Sequence, residues 1–569
     1  MRTLQLFSIQ IAIALLLLTQ AKSTTIEEIS VHPNNTTTSC IADERSALVT
    51  FRAGLSDPAN RLSSWKGDDC CRWKGVHCSN KTGHVIRLDL QGPDCSYREI
   101  SRQGLGGNIS SSLLGLQRLR YLDLSCNMFE NLQIPEFLGS LHNLRYIELS
   151  QSSIFGRIPP QLGNLSNLRY LSLGSNFGDT YSNDITWLSR LGSLEHLDMG
   201  FVDLSTVTNW LPVVNMLPSL KVLCLYFCQL TSSPDSLQLS NLTSLEELDL
   251  SFNYFTKRGS PNWFWDLTSL KYLDFSFNGF YGPFPDEIEE LTKIDNLQYL
   301  DLAYNNITGS IPRSIGNWRR MILTRDDDDF EGAFWYDDKT GDTVGDTVLR
   351  DYSENFTIVT KGQERLYTGE IIYMVNLDLS CNNLVGDIPE EIATLIALKS
   401  LNLSWNAFSG KIPEKIGALV QVESLDLSHN ELSGEIPTSL SALTSLSRLN
   451  MSYNNLTGVV PSGNQLQALE DPSYIYIGNP GLCGPPLPRN CSQLEPIPAT
   501  QELHEDTRDV ASFFIAMGSG YVFALWVVFC TFLFKRKWRV SWFSYCDSLY
   551  DRIYVLVAVT WAILTRRNA

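Results

Sequence analysis

In 569 residues, 44 Lys and Arg stand against 62 Asp and Glu, a formal net charge of −18, with 43% hydrophobic and 11% aromatic residues. The acid excess excludes a general nucleic-acid binder, which needs a basic face to release phosphate counterions, and the apolar content is enough for a large packed core. The charge changes sign near one end: the last 35 residues carry seven basic and two acidic side chains, as in a chain divided between two compartments.

Arg2, the apolar run Ile11 to Leu18 and small residues near Ala21 to Ser23 predict a secretory signal peptide over 1–23. Residues 24–83 hold Cys40, Cys70, Cys71 and Cys78 among Trp65 and Trp73, the composition of a cap. In a secreted chain with no His at zinc spacing these read as disulfides rather than metal ligands.

From residue 84 one pattern recurs, L-x-x-L-x-L-x-x-N, as in LRYLDLSCN (119–127), LEELDLSFN (245–253) and LNLSWN (401–406). Its middle residue falls at Leu122, Ile147, Leu171, Leu197, Leu223, Leu248, Leu273, Leu300, Leu377, Leu401, Leu425 and Leu449, spaced 24 to 27 apart except for one step of 77. Twelve copies predict a leucine-rich-repeat solenoid of short parallel strands, each repeat burying its leucines only against its neighbours. Nine of the twelve end on Asn, whose amide can satisfy the backbone where the strand turns. Gly-x-[Ile/Phe/Val]-Pro follows in seven, from Gly156–Pro159 to Gly458–Pro461.

The long step exceeds one repeat by about 53 residues. It divides the array into repeats over 84–317, an insertion over 318–370 with four consecutive aspartates from Asp326, and four final repeats over 371–467. The aspartates lack calcium-loop spacing and read as a solvated loop. A C-terminal cap with Cys483 and Cys491 and an acidic stretch fill 468–510.

Residues 511–534 are 24 without a charge, about 36 Å as a helix, which predicts one transmembrane span. Lys535, Arg536, Lys537 and Arg539 follow it and place 535–569 in the cytosol as a short basic tail. Ala516, Gly520 and Ala524 recur every four residues, a small-residue face suited to packing against another helix. Tyr550 and Ile553 have the spacing of a tyrosine-based endocytic signal; Tyr550 as an interfacial anchor is the plainer alternative.

Twelve Asn-x-Ser/Thr sequons precede the apolar segment and none follows it: Asn34, Asn35, Asn80, Asn108, Asn164, Asn241, Asn306, Asn355, Asn402, Asn450, Asn455 and Asn490. That one-sidedness predicts a glycosylated ectodomain. No nucleophile–base pair, metal constellation or phosphate loop is visible, so no catalytic residue, metal or cofactor is expected.

Along each strand the x positions alternate with the leucines and face the concave side. Inside L-x-L they are acidic in eight repeats: Asp123, Glu148, Asp198, Asp249, Asp274, Asp301, Asp378 and Asp426. Two residues past the last Leu stand Phe201, Phe227, Phe252, Phe277 and Tyr304, then Trp405 and Tyr453 after the insertion. Five successive aromatics at strand spacing are a candidate ligand-binding ribbon. The plainer alternative is that they pack on each other and stiffen the sheet.

With its L-x-G-x-I-P repeats, paired-Cys cap, insertion before four last repeats, single span and tail KRKWRVSWFSYCDSLYDRIYVLVAV, the chain resembles the plant leucine-rich-repeat receptor-like proteins that lack a kinase domain. It is similar to the subgroup that holds the receptors for fungal ethylene-inducing xylanase and the apple scab resistance proteins. The resemblance implies the pairs Cys40–Cys70, Cys71–Cys78 and Cys483–Cys491, with the partners of Cys95, Cys126, Cys224, Cys228 and Cys381 open. It also implies an island motif at Tyr352, Lys361 and Gly362 that meets the ligand or a co-receptor. The implied role is a single-pass plasma-membrane receptor with its N-terminus outside, perceiving an extracellular, microbial peptide or protein and signalling in plant defence through single-span adaptor and co-receptor kinases. The alternatives are a developmental peptide-hormone co-receptor, a membrane-held inhibitor of wall-degrading enzymes, and a truncated decoy of larger receptors. Only eight repeats precede the insertion, fewer than such receptors carry, so the resemblance transfers no particular ligand.

Overall fold

The computed structural model describes residues 39–491 apart from 96, 130–132, 177–179, 233–240, 256–262, 285–293, 295, 324–354, 361–362, 369–374 and 470–471; for 97–98, 265–266, 355–360, 363–368 and 472–473 it describes the backbone alone. The repeat's alternation sets the local structure. Leu119, Leu122 and Leu124 are fully buried, and Tyr121 and Asp123, one residue to either side of Leu122, take the opposite face of strand Tyr121–Asp123.

Fourteen such strands form one sheet, running from Val76–Cys78 and Val85–Asp89 through Tyr121–Asp123 to Arg448–Asn450. After an antiparallel first pair every neighbour is parallel, with the middle leucines opposite one another, as in Leu88 with Leu122 and Leu425 with Leu449. Val85–Asp89 thus opens the array one repeat earlier than the Asn-terminated pattern begins.

The Gly-x-[Ile/Phe/Val]-Pro segments build a second parallel layer. Tyr281–Pro283, Asn306–Gly309, Asn383–Asp387 and Ala407–Ser409 form one sheet, and Ser433–Glu435, Asn455–Val459 and Gly481–Cys483 another. Gly410, at φ +74°, shows why glycine is used there, since a side chain makes that backbone conformation unfavourable.

The insertion leaves the array continuous. Leu300 pairs directly with Leu377, and the Ala397 N–H bonds the Met321 carbonyl at 3.0 Å. Trp318 and Met321 are fully buried in the same core as the repeats. Farther on, Asn355–Thr360 and Gln363–Thr368 pair as an antiparallel hairpin.

The Asn residues knit repeat to repeat. The Asn382 amide donates to the carbonyls of Leu302, Leu379 and Ser380 at 2.9 to 3.2 Å and accepts the Ile307 N–H at 3.0 Å, which bridges the insertion. Cys228 takes the same place with its thiol, donating to the Met199 carbonyl at 3.1 Å. Asn479 adds a last rung inside the C-terminal cap.

Disulfides join Cys40–Cys70, Cys71–Cys78 and Cys483–Cys491, and a fourth joins Cys95–Cys126. Cys224, Cys228 and Cys381 form none. The buried Glu44 carboxylate fastens the N-terminal cap to the first repeat by accepting the Val85 N–H at 2.6 Å.

Among the described residues no helix is long and apolar enough to cross a membrane. Residues 1–23, the segment 511–534 with Ala516, Gly520 and Ala524, and Tyr550 and Ile553 all lie outside the described residues.

Candidate functional site

Each of the twelve strands from Tyr121–Asp123 to Arg448–Asn450 ends in a tight turn whose residue two past the last Leu of the repeat has a left-handed backbone. Phe201, Phe227, Phe252, Phe277 and Tyr304 occupy that place with φ between +54° and +65°. Bulky side chains are disfavoured in this region, where Gly or Asn fits more easily. Local conformation therefore does not explain the aromatics, and their reason lies in what the rings touch.

They touch one another. Ring centroids are 4.8 Å apart for Phe201–Phe227, 4.3 Å for Phe227–Phe252 and Phe252–Phe277, and 4.0 Å for Phe277–Tyr304, all near-parallel. Stacking leaves one edge of the ribbon open: Phe201, Phe227, Phe277 and Tyr304 stay 37% to 52% exposed. At its end a depression of about 480 Å3 is lined by Tyr254, Phe277, Gly279, Tyr304 and Cys381, with the turn residues Asn253, Asn278 and Asn305. Both readings of the ribbon thus have a geometric basis, since the rings brace the turns and also offer apolar surface to a partner.

Beside the ribbon runs the acidic column. Asp123, Glu148, Asp301 and Asp378 are buried, and Asp198, Asp249, Asp274 and Asp426 are half-buried. One oxygen of each accepts the N–H two residues on, as Asp274 does from Ser276 at 2.8 Å and Asp301 from Ala303 at 2.9 Å. Burial pushes these carboxyls up, Glu148 to about 7, Asp198 and Asp249 to about 6 and Asp274 to about 8, the last helped by the charge of Asp249. Asp301 is raised as well, by burial and then by Asp274 and Asp378.

Register reveals aromatic columns that spacing alone did not single out. Tyr121, Tyr146, Tyr170 and His196 stack at 4.1 to 4.3 Å on four consecutive strands, two residues before the acidic column. Past the insertion His429 completes a three-ring stack between Trp405 and Tyr453, at 3.8 and 4.4 Å. The signal was present in the alignment of repeats, but these positions mix Tyr with His, Val and Ser and draw no attention one repeat at a time.

The sequons divide into two kinds. Asn80, Asn108, Asn164, Asn241, Asn306, Asn455 and Asn490 are exposed. Asn402 and Asn450 are half-buried, and the amide nitrogen that would carry a glycan donates to Asp378 at 2.9 Å and to Asp426 at 3.1 Å. Half-buried in the column, both are poorer places for a glycan than the exposed sequons. Glycopeptide mapping of the secreted chain is expected to find both unmodified, with sugar on exposed sequons; sugar on Asn402 would contradict this geometry. Asn34 and Asn35 lie outside the described residues, and so do Tyr352, Lys361 and Gly362, while the strand bearing Asn355 is described by its backbone alone. The cysteines that cluster at the N-terminal cap, Cys40, Cys70 and Cys71, are all taken up in disulfides.

The leucine rich repeat N-terminal domain matches residues 41–79, and leucine rich repeats match 118–141, 218–280, 296–318, 373–432 and 445–466. Receptor-like protein EIX1 of Solanum lycopersicum is 38% identical over 236 residues, 40% of this chain and 23% of its own length. Receptor-like protein EIX2 of the same plant is 38% identical over 231 residues, 40% of this chain and 22% of its own length. The match thus spans less than a quarter of either relative. Among solved structures, the plant peptide hormone receptor RGFR1 in complex with RGF2 aligns at 23% identity and a TM-score of 0.44, over 67% of this chain and 62% of that one.

Proposed function

We propose that this chain, a leucine-rich-repeat protein related to the plant receptor-like proteins, is a non-catalytic cell-surface receptor that binds an extracellular, microbial peptide or protein. The ligand lies along the ribbon Phe201–Phe227–Phe252–Phe277–Tyr304, and the receptor signals in plant defence through partner receptor kinases. One observation carries the reading: five stacked rings with an exposed edge, each on a turn whose backbone disfavours a bulky residue. Clustered exposed aromatics are what binding hot spots are built from.

The apolar segment 511–534 with its basic flank supports a single membrane span with the repeats outside. Ala516, Gly520 and Ala524 on that segment would meet a partner's span. Tyr352, Lys361 and Gly362, between the two blocks of repeats, would meet the ligand or a co-receptor.

The test is expression of the full chain in leaf tissue, followed by challenge with fractionated microbial extracts and, separately, with endogenous plant peptides. An oxidative burst to a microbial fraction, absent from tissue without the chain, is the expected result. A response confined to plant peptides would replace the defence reading with the hormone co-receptor.

A further inference from the structure

A ligand on the ribbon meets a second feature of the same face. Asp249, Asp274, Asp301 and Asp378 stand opposite one another on four consecutive strands, about 4.8 Å apart. Among the described residues no Lys or Arg pairs with them. Lys271 is held by Glu246 at 2.6 Å, and Lys221 by Glu195 at 2.8 Å. Beyond the insertion the column changes to Asp378, Asn402, Asp426, Asn450, and each Asn donates its amide to the Asp before it. The later half of the ladder therefore carries a neutral amide at every second place, whereas the earlier half is acidic at every place and meets only hydroxyl donors, Tyr272 to Asp274 at 3.5 Å, Tyr299 to Asp301 at 3.3 Å and Ser251 to Asp249 at 2.7 Å.

Asn376 is an independent sign that something is received here. It is 4% exposed, lies on the same face as Asp378 two residues on, and stands opposite Tyr299, whose hydroxyl donates to Asp301 at 3.3 Å. Neither its Nδ2 nor its Oδ1 has a hydrogen-bond partner. A buried amide with both ends unpaired is unfavourable, and a bound group that offers a donor and an acceptor relieves it. A peptide bond offers both.

We propose that this stretch receives a peptide bearing a Lys or Arg side chain. Its cation lies over Asp274 and Asp301, which give up their protons to solvent as it arrives, its backbone reaches the Asn376 amide, and an adjacent apolar residue packs on Phe277 and Tyr304. A bare metal ion fits less well, because one oxygen of each carboxylate is already committed to the N–H two residues on. The inference rests on the reading of the ribbon as a ligand site and names the class of ligand.

The test selects a random phage-displayed heptapeptide library on the full-length chain in detergent. Recovered peptides are expected to place Lys or Arg beside an aromatic or aliphatic residue. Their affinity should fall about tenfold or more for the double variant Asp274→Asn/Asp301→Asn and stay unchanged for Asp426→Asn. The double variant should keep its shape, since Asn402 and Asn450 fill the same column in the native chain. Neutral or acidic peptides, or equal binding by the double variant, would overturn the proposal. Peptides insensitive to that variant but lost with Phe252→Ser/Phe277→Ser leave the ribbon standing and remove only the cation site. Failure to recover any peptide, or peptides indifferent to both variants, removes both.

Discussion

Asn382→Ala is expected to cost about 3 kcal/mol or more and to uncouple the last four repeats from the rest. The side chain donates to three carbonyls, one of them Leu302 on the far side of the insertion, and accepts the buried Ile307 N–H. Alanine supplies none of these bonds, and the site is too enclosed for water to replace them all, so backbone groups are left buried and unpaired. In a repeat array each interface couples only adjacent units, so weakening this one should split a single transition into two. Hydrogen exchange followed by mass spectrometry would then show residues 375–467 opening independently of residues 84–323. An unchanged, single transition would mean that the core leucines, with Trp318 and Met321, hold the junction unaided.

Acid is expected to relieve the acidic column of the repeat array, while His196, which burial holds down to about 3, works the other way as pH falls below its ordinary value. The column carboxyls sit at about 6 to 8 in the folded chain for Glu148, Asp198, Asp249 and Asp274, above the ordinary range near 4 that the unfolded chain regains. Between those limits these carboxyls bind more protons in the folded than in the unfolded state, so the stability they contribute is full below about pH 4 and is lost as pH rises through 6 to 8. The groups facing Asp274 do not cancel this: Asp249 and Asp301 flank it as like charges, Tyr272 stays neutral, and Lys271 is occupied by Glu246. Asp274→Asn is therefore expected to raise stability at pH 8 by about 1–2 kcal/mol and to change little at pH 4.5. Thermal melts across that range check it. A gain from Asp274→Asn that is no larger at pH 8 than at pH 4.5 would reverse the sign and exclude the account.

The leucine period and the Asn were enough to predict the strands, their direction and the place of the break, because both recur at fixed spacing and each has one physical job. Contacts between repeats were harder to read. Val85–Asp89 was missed because its repeat has Pro93 where the others have Asn. Gly-x-[Ile/Phe/Val]-Pro was visible as a motif, but its pairing into a second layer depends on how far each repeat travels behind the first sheet. Asn402 and Asn450 match the sequon, which is local, whereas their half-burial and the Asp each one bonds, 24 residues away, show only in the fold. The aromatic ribbon was legible as a list of residues. That its members sit on left-handed turns, and that His429 belongs to the later stack, followed only from backbone geometry and register.

The account depends most on the ribbon being a contact surface and not only a brace for the turns. The direct measurement is the leaf oxidative burst to an active microbial fraction, comparing wild type with Phe252→Ser/Phe277→Ser at matched surface amount and at a temperature where both are folded. The account predicts that the double variant reaches the surface, melts somewhat lower for the lost stacking and, though folded, gives no burst. A full burst from that variant would contradict it and assign the rings to bracing alone.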